Sequence, residues 1–195
     1  MKKRVGAKTM AIKKRATKKR ATKKRAVKSA QNSDISEQPA KMLIRIDTRE
    51  QKDLFLFKSY ADVETIHLKV DTGDYCLHEF PDKVTIDRKR SSLELYNNFF
   101  FQKDRFDREL ERMSKMDFAY FVCSFPFSVI ESFPDKSGIP KYKWKLLKFG
   151  KEQVINRIKR IEEKYDNIKF IFCRDQAEAE DVTYQILKEY SVGEN

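Results

Sequence analysis

Three short groups of polar residues in this sequence have types and spacings suited to chemistry. Asp47-Thr48-Arg49-Glu50 follows a run of apolar and β-branched residues. Asp74 stands directly after Gly73, and twelve residues separate it from Asp87, which is followed by Arg88 and Lys89. In an extended strand side chains alternate between faces, so Asp87 and Lys89 point to one side, and Arg88 to the other with Val84 and Ile86. If the chain folds back between Asp74 and Asp87, two or three carboxylates converge at strand ends. That is an oxygen-only site for a hard divalent cation such as Mg²⁺. A lysine beside it can orient or deprotonate a water, or stabilise a developing oxyanion. Together these parts suit metal-assisted hydrolysis of a phosphodiester. Taken singly each is weak: an Asp-x-Lys pair fits a plain charged edge strand, and Gly-Asp an ordinary turn. The signal lies in their order and in the element expected to carry each.

Those elements can be read from periodicity and turn chemistry. Met42–Ile46 reads as a strand ending at Asp47, residues 52–59 as a short helix, and Val63–Leu68 as a second strand. Tyr75–Phe80 and Val84–Lys89 flank Pro81-Asp82-Lys83, a turn signal, and predict a hairpin. Ser91-Ser92 is placed to cap a helix running to about Phe100. Asp104–Met116 predicts a helix with Phe106, Leu110 and Met113 on one face. Phe118–Ser124 predicts a buried strand, Lys151–Tyr165 a helix, Ile168–Cys173 the last strand and Gln176–Tyr190 the last helix. Strands alternating with helices indicate an α/β domain built on a mixed sheet.

Composition bounds the rest. Fifteen Phe and eight Tyr among 195 residues supply a sizeable core, which excludes wholesale disorder. No apolar run approaches the ~18 residues of a membrane span, and the basic N-terminus lacks the apolar stretch of a secretory signal. Cys76, Cys123 and Cys173 form no paired framework and read as core thiols in a reducing compartment. His67 and His78 have no Cys or acid at zinc spacing. The net charge of +12 is unevenly spread: of 42 Lys and Arg, 14 stand in residues 1–30, which hold no acid. The remaining 28 face all 30 acidic residues, so residues 31–195 carry a net −2. Residues 13–27 repeat a five-residue unit, KKRAT, KKRAT, KKRAV. A period of five winds charge around every side of a helix, leaving no amphipathic face for a membrane. Residues 1–40 are therefore expected to be a disordered basic tail and linker. Lys13, Lys14, Arg15, Lys18, Lys19, Arg20, Lys23, Lys24 and Arg25 are its DNA-binding candidates, because clustered cations release counterions from phosphates. A solubility tail or a nuclear-localisation signal fits the same repeats. Trp144, within Lys141-Tyr142-Lys143-Trp144-Lys145, is read first as packing on the sheet and second as a single-strand-binding surface.

Taken jointly, D-x-R-E (Asp47–Glu50), G-D-Y (Gly73–Tyr75), D-R-K (Asp87–Lys89) and the helical Arg105-Phe106 resemble the nuclease domain of XPF-type structure-specific endonucleases. The likeness covers about residues 42–191 and resembles stand-alone versions from bacteria, phages and mobile elements. It implies a restriction-endonuclease-like mixed central sheet flanked by helices over residues 41–195. It also implies an endonuclease using Mg²⁺ or Mn²⁺ on branched, flapped or nicked DNA, in repair, recombination or mobile-element processing. Carried onto this sequence, Asp74, Asp87 and Asp47 match metal-ligand positions. Lys89 matches the catalytic lysine, and Arg88 belongs to the same catalytic set. Arg49 and Arg105 match phosphate-contacting or supporting positions, and Glu50 a supporting acid or the surface partner of an arginine. The sequence departs from the pattern in three ways. Asp87 replaces the usual Glu. Leu93 stands where an acid is expected, with Glu94 beside it as a substitute. The tandem helix-hairpin-helix module that often follows does not appear, so the tail or a helper protein gains importance. The stripe Val182, Ile186, Tyr190 on the last helix is expected in the core or in a homodimer interface. The setting implied is the cytoplasm of a bacterial or phage-infected host, or the nucleus of a eukaryotic one. The rival reading is a non-catalytic DNA-binding or scaffold subunit; Leu93 favours it, and the joint presence of Asp74, Asp87 and Lys89 opposes it.

Overall fold

The hydrophobic pattern resolves into two layers of side chains, one on each face of a six-stranded sheet. The computed structural model describes residues 41–51 and 54–191. The basic tail and linker expected over residues 1–40 lie outside the described residues. The strands are β1 (Met42–Ile46), β2 (Val63–His67), β3 (Tyr75–Leu77), β4 (Val84–Lys89), β5 (Phe118–Cys123) and β6 (Ile168–Phe172), in the spatial order β2-β1-β3-β4-β5-β6. β1 pairs parallel with β2 and antiparallel with β3, and β3 pairs antiparallel with β4. β4, β5 and β6 run parallel. This is the mixed sheet expected from the alternation of elements.

One face carries α1 (Ser92–Tyr96), α2 (Lys103–Met113) and α4 (Lys151–Lys164), packed through Leu95, Phe106, Leu110, Met113, Val154 and Ile158 onto Phe121 and Cys123 of β5. The other carries α5 (Gln176–Ser191), whose Ala179, Ile186 and Leu187 meet Ile44, Ile46, Val84, Ile86 and Val122. Neighbouring residues of β5, Phe121 and Val122, thus enter opposite cores, as the two-residue period requires. The short helix α3 (Ser128–Glu131) and a 3₁₀ turn (Lys141–Leu146) lie in the long β5–α4 connection.

Two expectations need correction. Residues 54–59 are not helical. The backbone N–H of Phe55 donates to the Tyr75 hydroxyl at 3.1 Å, and that of Phe57 to the Glu180 carboxylate at 2.6 Å. These donors are claimed from other elements, and both Phe55 and Phe57 enter the core. The helix starting at Ser92 also changes form: after Tyr96 it continues as one π-helical turn, Asn97–Phe101. The wider turn keeps Phe99 buried while Asn97 and Asn98 line a cleft. Such turns are frequent at functional sites.

The α5 stripe is the inner face of its helix. Ile186 is buried, Val182 and Tyr190 pack against the same core, and Tyr190 stacks on Phe118 with its hydroxyl 2.9 Å from that of Tyr120. All three cysteines are buried and free. Burial pushes the Cys76 and Cys173 thiols up to about 11 and Cys123 well above its ordinary value, so they are packing groups. Among the described residues no helix is long and apolar enough to cross a membrane.

Candidate active site

Asp74 owes its position to Gly73. Gly73 has φ +79°, and a Cβ there would stand 2.3 Å from Thr85 Oγ1 and 2.9 Å from the Ile86 carbonyl. Only glycine lets the two backbones approach this closely. The next residue then joins the sheet: the Asp74 N–H donates to the Ile86 carbonyl at 2.7 Å, and the Asp74 carbonyl accepts from the Asp47 N–H at 2.8 Å. The Asp74 carboxylate accepts the Arg88 backbone N–H at 2.8 Å, which turns it towards β4.

On β4, Asp87 and Lys89 share a face, and Lys89 Nζ lies 2.5 Å from Asp87 Oδ1. Both are buried. The Lys89 ammonium stands 5.6 Å from the Phe106 ring and 5.2 Å from the Phe121 ring, so aromatic faces stabilise the buried cation. Arg88 projects to the opposite face, under the Phe55 ring at 4.9 Å and 2.5 Å from Glu50. Glu50 is therefore the partner of a buried arginine at the edge of the site.

Helix α2 contributes a group that the motif reading missed. Glu109 hydrogen-bonds Asp87 and lies 4.0 Å from Lys89. It sits four residues after Arg105 and three before Arg112, and all three line the cleft. A polar stripe at i, i+4, i+7, one residue before the core stripe Phe106, Leu110, Met113, was the available signal.

Burial and mutual charge set the protonation pattern. Burial first, and the Asp87 charge second, push the Asp74 carboxyl well above its ordinary value. The same two causes push Glu109 up to about 9, so it carries a proton at neutral pH and donates to Asp87. Burial also opposes ionisation of Asp87, but Lys89 and the Glu109 hydrogen bond outweigh it and hold Asp87 below the usual range. Lys89 is raised: burial works against its charge, and Asp87 and Glu109 overcome that. In this arrangement Lys89 is a firm cation, suited to orienting a water or meeting a developing oxyanion rather than to removing a proton.

The cleft over these groups has a volume of about 620 Å³. Arg49, Arg88, Lys89, Arg90, Arg105 and Arg112 line it, as do Glu50, Asp71, Asp74, Asp87, Glu94 and Glu109. With Glu109 neutral, six cationic side chains face five carboxyl groups there, which suits a phosphate backbone. Asp47 does not line this cleft. Its carboxylate is occupied by Arg49, whose Nε donates at 2.9 Å and whose backbone N–H donates at 2.9 Å. Burial raises the Asp47 carboxyl, and the Arg49 hydrogen bonds and charge more than reverse this. Arg49 also donates to the Val70 carbonyl at 2.9 Å. Glu94 lies at the rim, where its carboxylate accepts the Arg90 N–H at 2.9 Å and its own N–H donates to the Ser91 cap at 3.2 Å. Its hydrogen bonds secure the start of α1; the acid bonded to Asp87 is Glu109. Arg105 reaches Gln102 at 3.5 Å and favours the charged form of Asp87.

Among the described residues, no group of three or more His, Cys, Asp or Glu side chains is disposed to hold a metal ion. Neither histidine lines the cleft: His67 is exposed, and His78 accepts from Arg45 at 3.1 Å. Half-buried Asp74 and buried Asp87 are a pair of oxygen donors that repel one another. Two carboxylates with water and phosphate oxygens completing the shell is a common donor set for Mg²⁺, so the residues fit a hard divalent cation.

A family model described as the ERCC4 domain matches residues 46–186, from the end of β1 to Ile186 of α5. The structure is similar to that of XPF from Aeropyrum pernix, with a TM-score of 0.56 and 16% identity over 78% of this chain. The match spans 62% of the length of that chain. It is likewise similar to XPF from Aeropyrum pernix in complex with DNA, with a TM-score of 0.57 and 14% identity over 79% of this chain and 68% of that one. At such identities the likeness concerns the fold. No curated protein matches the sequence.

Proposed function

The chain belongs to the ERCC4 domain family, a family of nucleases, and we propose that it is a divalent-metal-dependent endonuclease acting on branched, flapped or nicked DNA. One observation carries this reading: half-buried Asp74 meets buried Asp87 and a buried, firmly cationic Lys89 on an arginine-lined cleft. A structural ion pair has no need of a second, mutually repelling carboxylate beside it.

In this reading Asp74 and Asp87 hold Mg²⁺ or Mn²⁺, and Asp47 supports them indirectly by fixing Arg49. The bound ion supplies Lewis acidity at the scissile phosphate and lowers the pKa of a water. Arg49 and Arg105 grip flanking phosphates. Lys89 holds its ammonium toward the phosphoryl oxygen that gains charge as water attacks. The water oxygen bonds to phosphorus while the bond to the leaving oxygen breaks, and the leaving oxygen takes up a proton. Glu109 orients Asp87 by hydrogen bonding, and Arg88 with Glu50 braces β4 from its other face.

Incubation of the full chain with flapped, nicked and continuous duplex DNA tests the proposal, in Mg²⁺, in Mn²⁺ and in EDTA. Cleavage that needs the cation and a discontinuity supports it. Binding without cleavage in any cation would instead support the non-catalytic scaffold reading that Leu93 favours. A homodimer through α5 remains part of the proposal, but it must use the outer flank of the helix, because Ile186 is spent on the core. Light scattering at micromolar concentration decides it.

A further inference from the structure

From Lys136 to Lys151 the chain has six lysines and no acidic residue. None of the six joins an ion pair among the described residues. Apolar side chains are interleaved with them and face water: the Tyr142 ring is 75% exposed, and the aliphatic Leu146 equally so. The 3₁₀ turn Lys141–Leu146 buries no residue. Its three-residue period sets Lys141 over Trp144 at 5.8 Å, and Lys143 lies 5.7 Å from the Tyr142 ring.

This segment is anchored. Trp144 Nε1 donates to the Ile139 carbonyl at 2.8 Å. Phe149 stacks on Phe100 with centroids 4.2 Å apart and planes 12° apart. Phe100 belongs to the π-helical turn whose Asn97 and Asn98 line the catalytic cleft, and Phe101 beside it is 67% exposed. A cationic, aromatic surface is therefore fixed to the flank of the cleft.

Cations alone would suit any phosphate backbone. Exposed rings between them add affinity only for bases whose faces are open, which a continuous duplex does not offer. The geometry points to a second DNA site on residues 139–149 that holds an unpaired strand leaving the cleft. Its phosphates run along Lys141, Lys143 and Lys145, and a base stacks on Tyr142. Trp144 supports the turn from within. This rests on the nuclease reading for the cleft and narrows its substrate to DNA with a single-stranded arm.

Trp144 is the sole tryptophan of the chain, so its emission reports on this segment without a label. The experiment titrates the full chain in EDTA with oligo-dT and with a continuous duplex of equal length, at 0.2 M salt to weaken the tail. Oligo-dT is expected to change Trp144 emission and the duplex to leave it unaltered. Tyr142→Ala should weaken the oligo-dT affinity read at Trp144 about fivefold or more, and Tyr142→Phe should restore it. Replacing Lys143 and Lys145 together by Ala should flatten the log-log salt slope by about 1.4, or about 0.7 per phosphate. Equal responses to duplex and oligo-dT, no response to oligo-dT, or a Tyr142→Ala variant that binds like wild type would each overturn the site. A chain that passes these tests and never cuts DNA loses the nuclease reading and keeps the site. A chain that cuts while Trp144 ignores oligo-dT does the reverse.

Discussion

Arg88 and Glu50 meet at 2.5 Å on the face of β4 opposite the one where Lys89 meets Asp87 at the same distance. One strand thus carries an ion pair on each face, and both pairs reach the wall of the cleft. The Arg88 side chain is 1% exposed. Removing the carboxylate of a buried pair costs about 3 kcal/mol, because the remaining charge loses its compensation. Glu50→Ala should lower the urea midpoint accordingly, and Glu50→Gln, which keeps an acceptor, should lower it less. An unshifted Glu50→Ala midpoint would show that the pair does not hold β4.

Asp74→Asn and Lys89→Met test the chemistry. Because the Asp74 carboxyl is already pushed toward its neutral form, an amide of the same shape should leave the fold intact while removing the anionic donor. Both variants should lose at least about a hundredfold in cleavage rate. Circular dichroism and DNA binding in EDTA should match wild type. Cleavage by both at the wild-type rate would dismiss this site assignment.

Glu109 is separable into two roles. If it orients Asp87 as a neutral donor, Glu109→Gln keeps the hydrogen bond and stays close to wild type, while Glu109→Ala raises the Mg²⁺ needed for half-maximal cleavage about 10–100-fold. Equal impairment of both variants would make Glu109 a metal ligand instead. A Mg²⁺ titration of the cleavage rate reads the difference.

Asp107 supplies a pH-dependent link between two helices. It pairs with Lys103 at 2.5 Å and with Arg157 of α4. Burial raises its carboxyl, but the two cations outweigh this and bring it below the ordinary 3.8. A lowered folded-state value means stability present above pH 3.8 and lost as the pH falls through the folded value. The side chain is about a third exposed, so solvent screening limits the effect to about 1 kcal/mol. Thermal melts of wild type and Asp107→Asn should differ at pH 6 and converge as the pH falls below 3.8 and through the lower folded-state value. A gap that persists in acid would exclude the ion pairs as its source.

Deletion of residues 2–30 should separate affinity from chemistry. The removed segment carries 14 cations and no acid. Phosphate contacts by such a segment weaken with a log-log salt slope of about −0.9 per contact on duplex DNA. Truncation should flatten the slope and weaken binding at low salt, yet leave the single-turnover rate at saturation unchanged, since uniform binding does not lower the chemical barrier. An unchanged slope would place the affinity in the cleft.

Much of the site was legible because its parts obey short-range geometry. The strand period set Asp87 and Lys89 on one face and Arg88 on the other before any tertiary contact was considered. A glycine before Asp74 marked the turn, Ser91 marked the start of α1, and Phe106, Leu110 and Met113 marked the inner face of α2. Tertiary structure decided the pairings. Glu109 reaches Asp87 from an element 22 residues downstream, and only the packing of α2 on β5 brings it there. Glu50 finds Arg88 across 38 residues. The helix expected over 52–59 yields to partners 20 and 123 residues away, Tyr75 and Glu180. The sequence by itself determined the mixed sheet, most of its order of elements and the face of β4 that carries Asp87 and Lys89, because periodicity and turn chemistry act between near neighbours. Only the fold decided which charges neutralise one another, which carboxyls keep a proton and which arginines face the cleft, because burial and distance between remote segments set those energies.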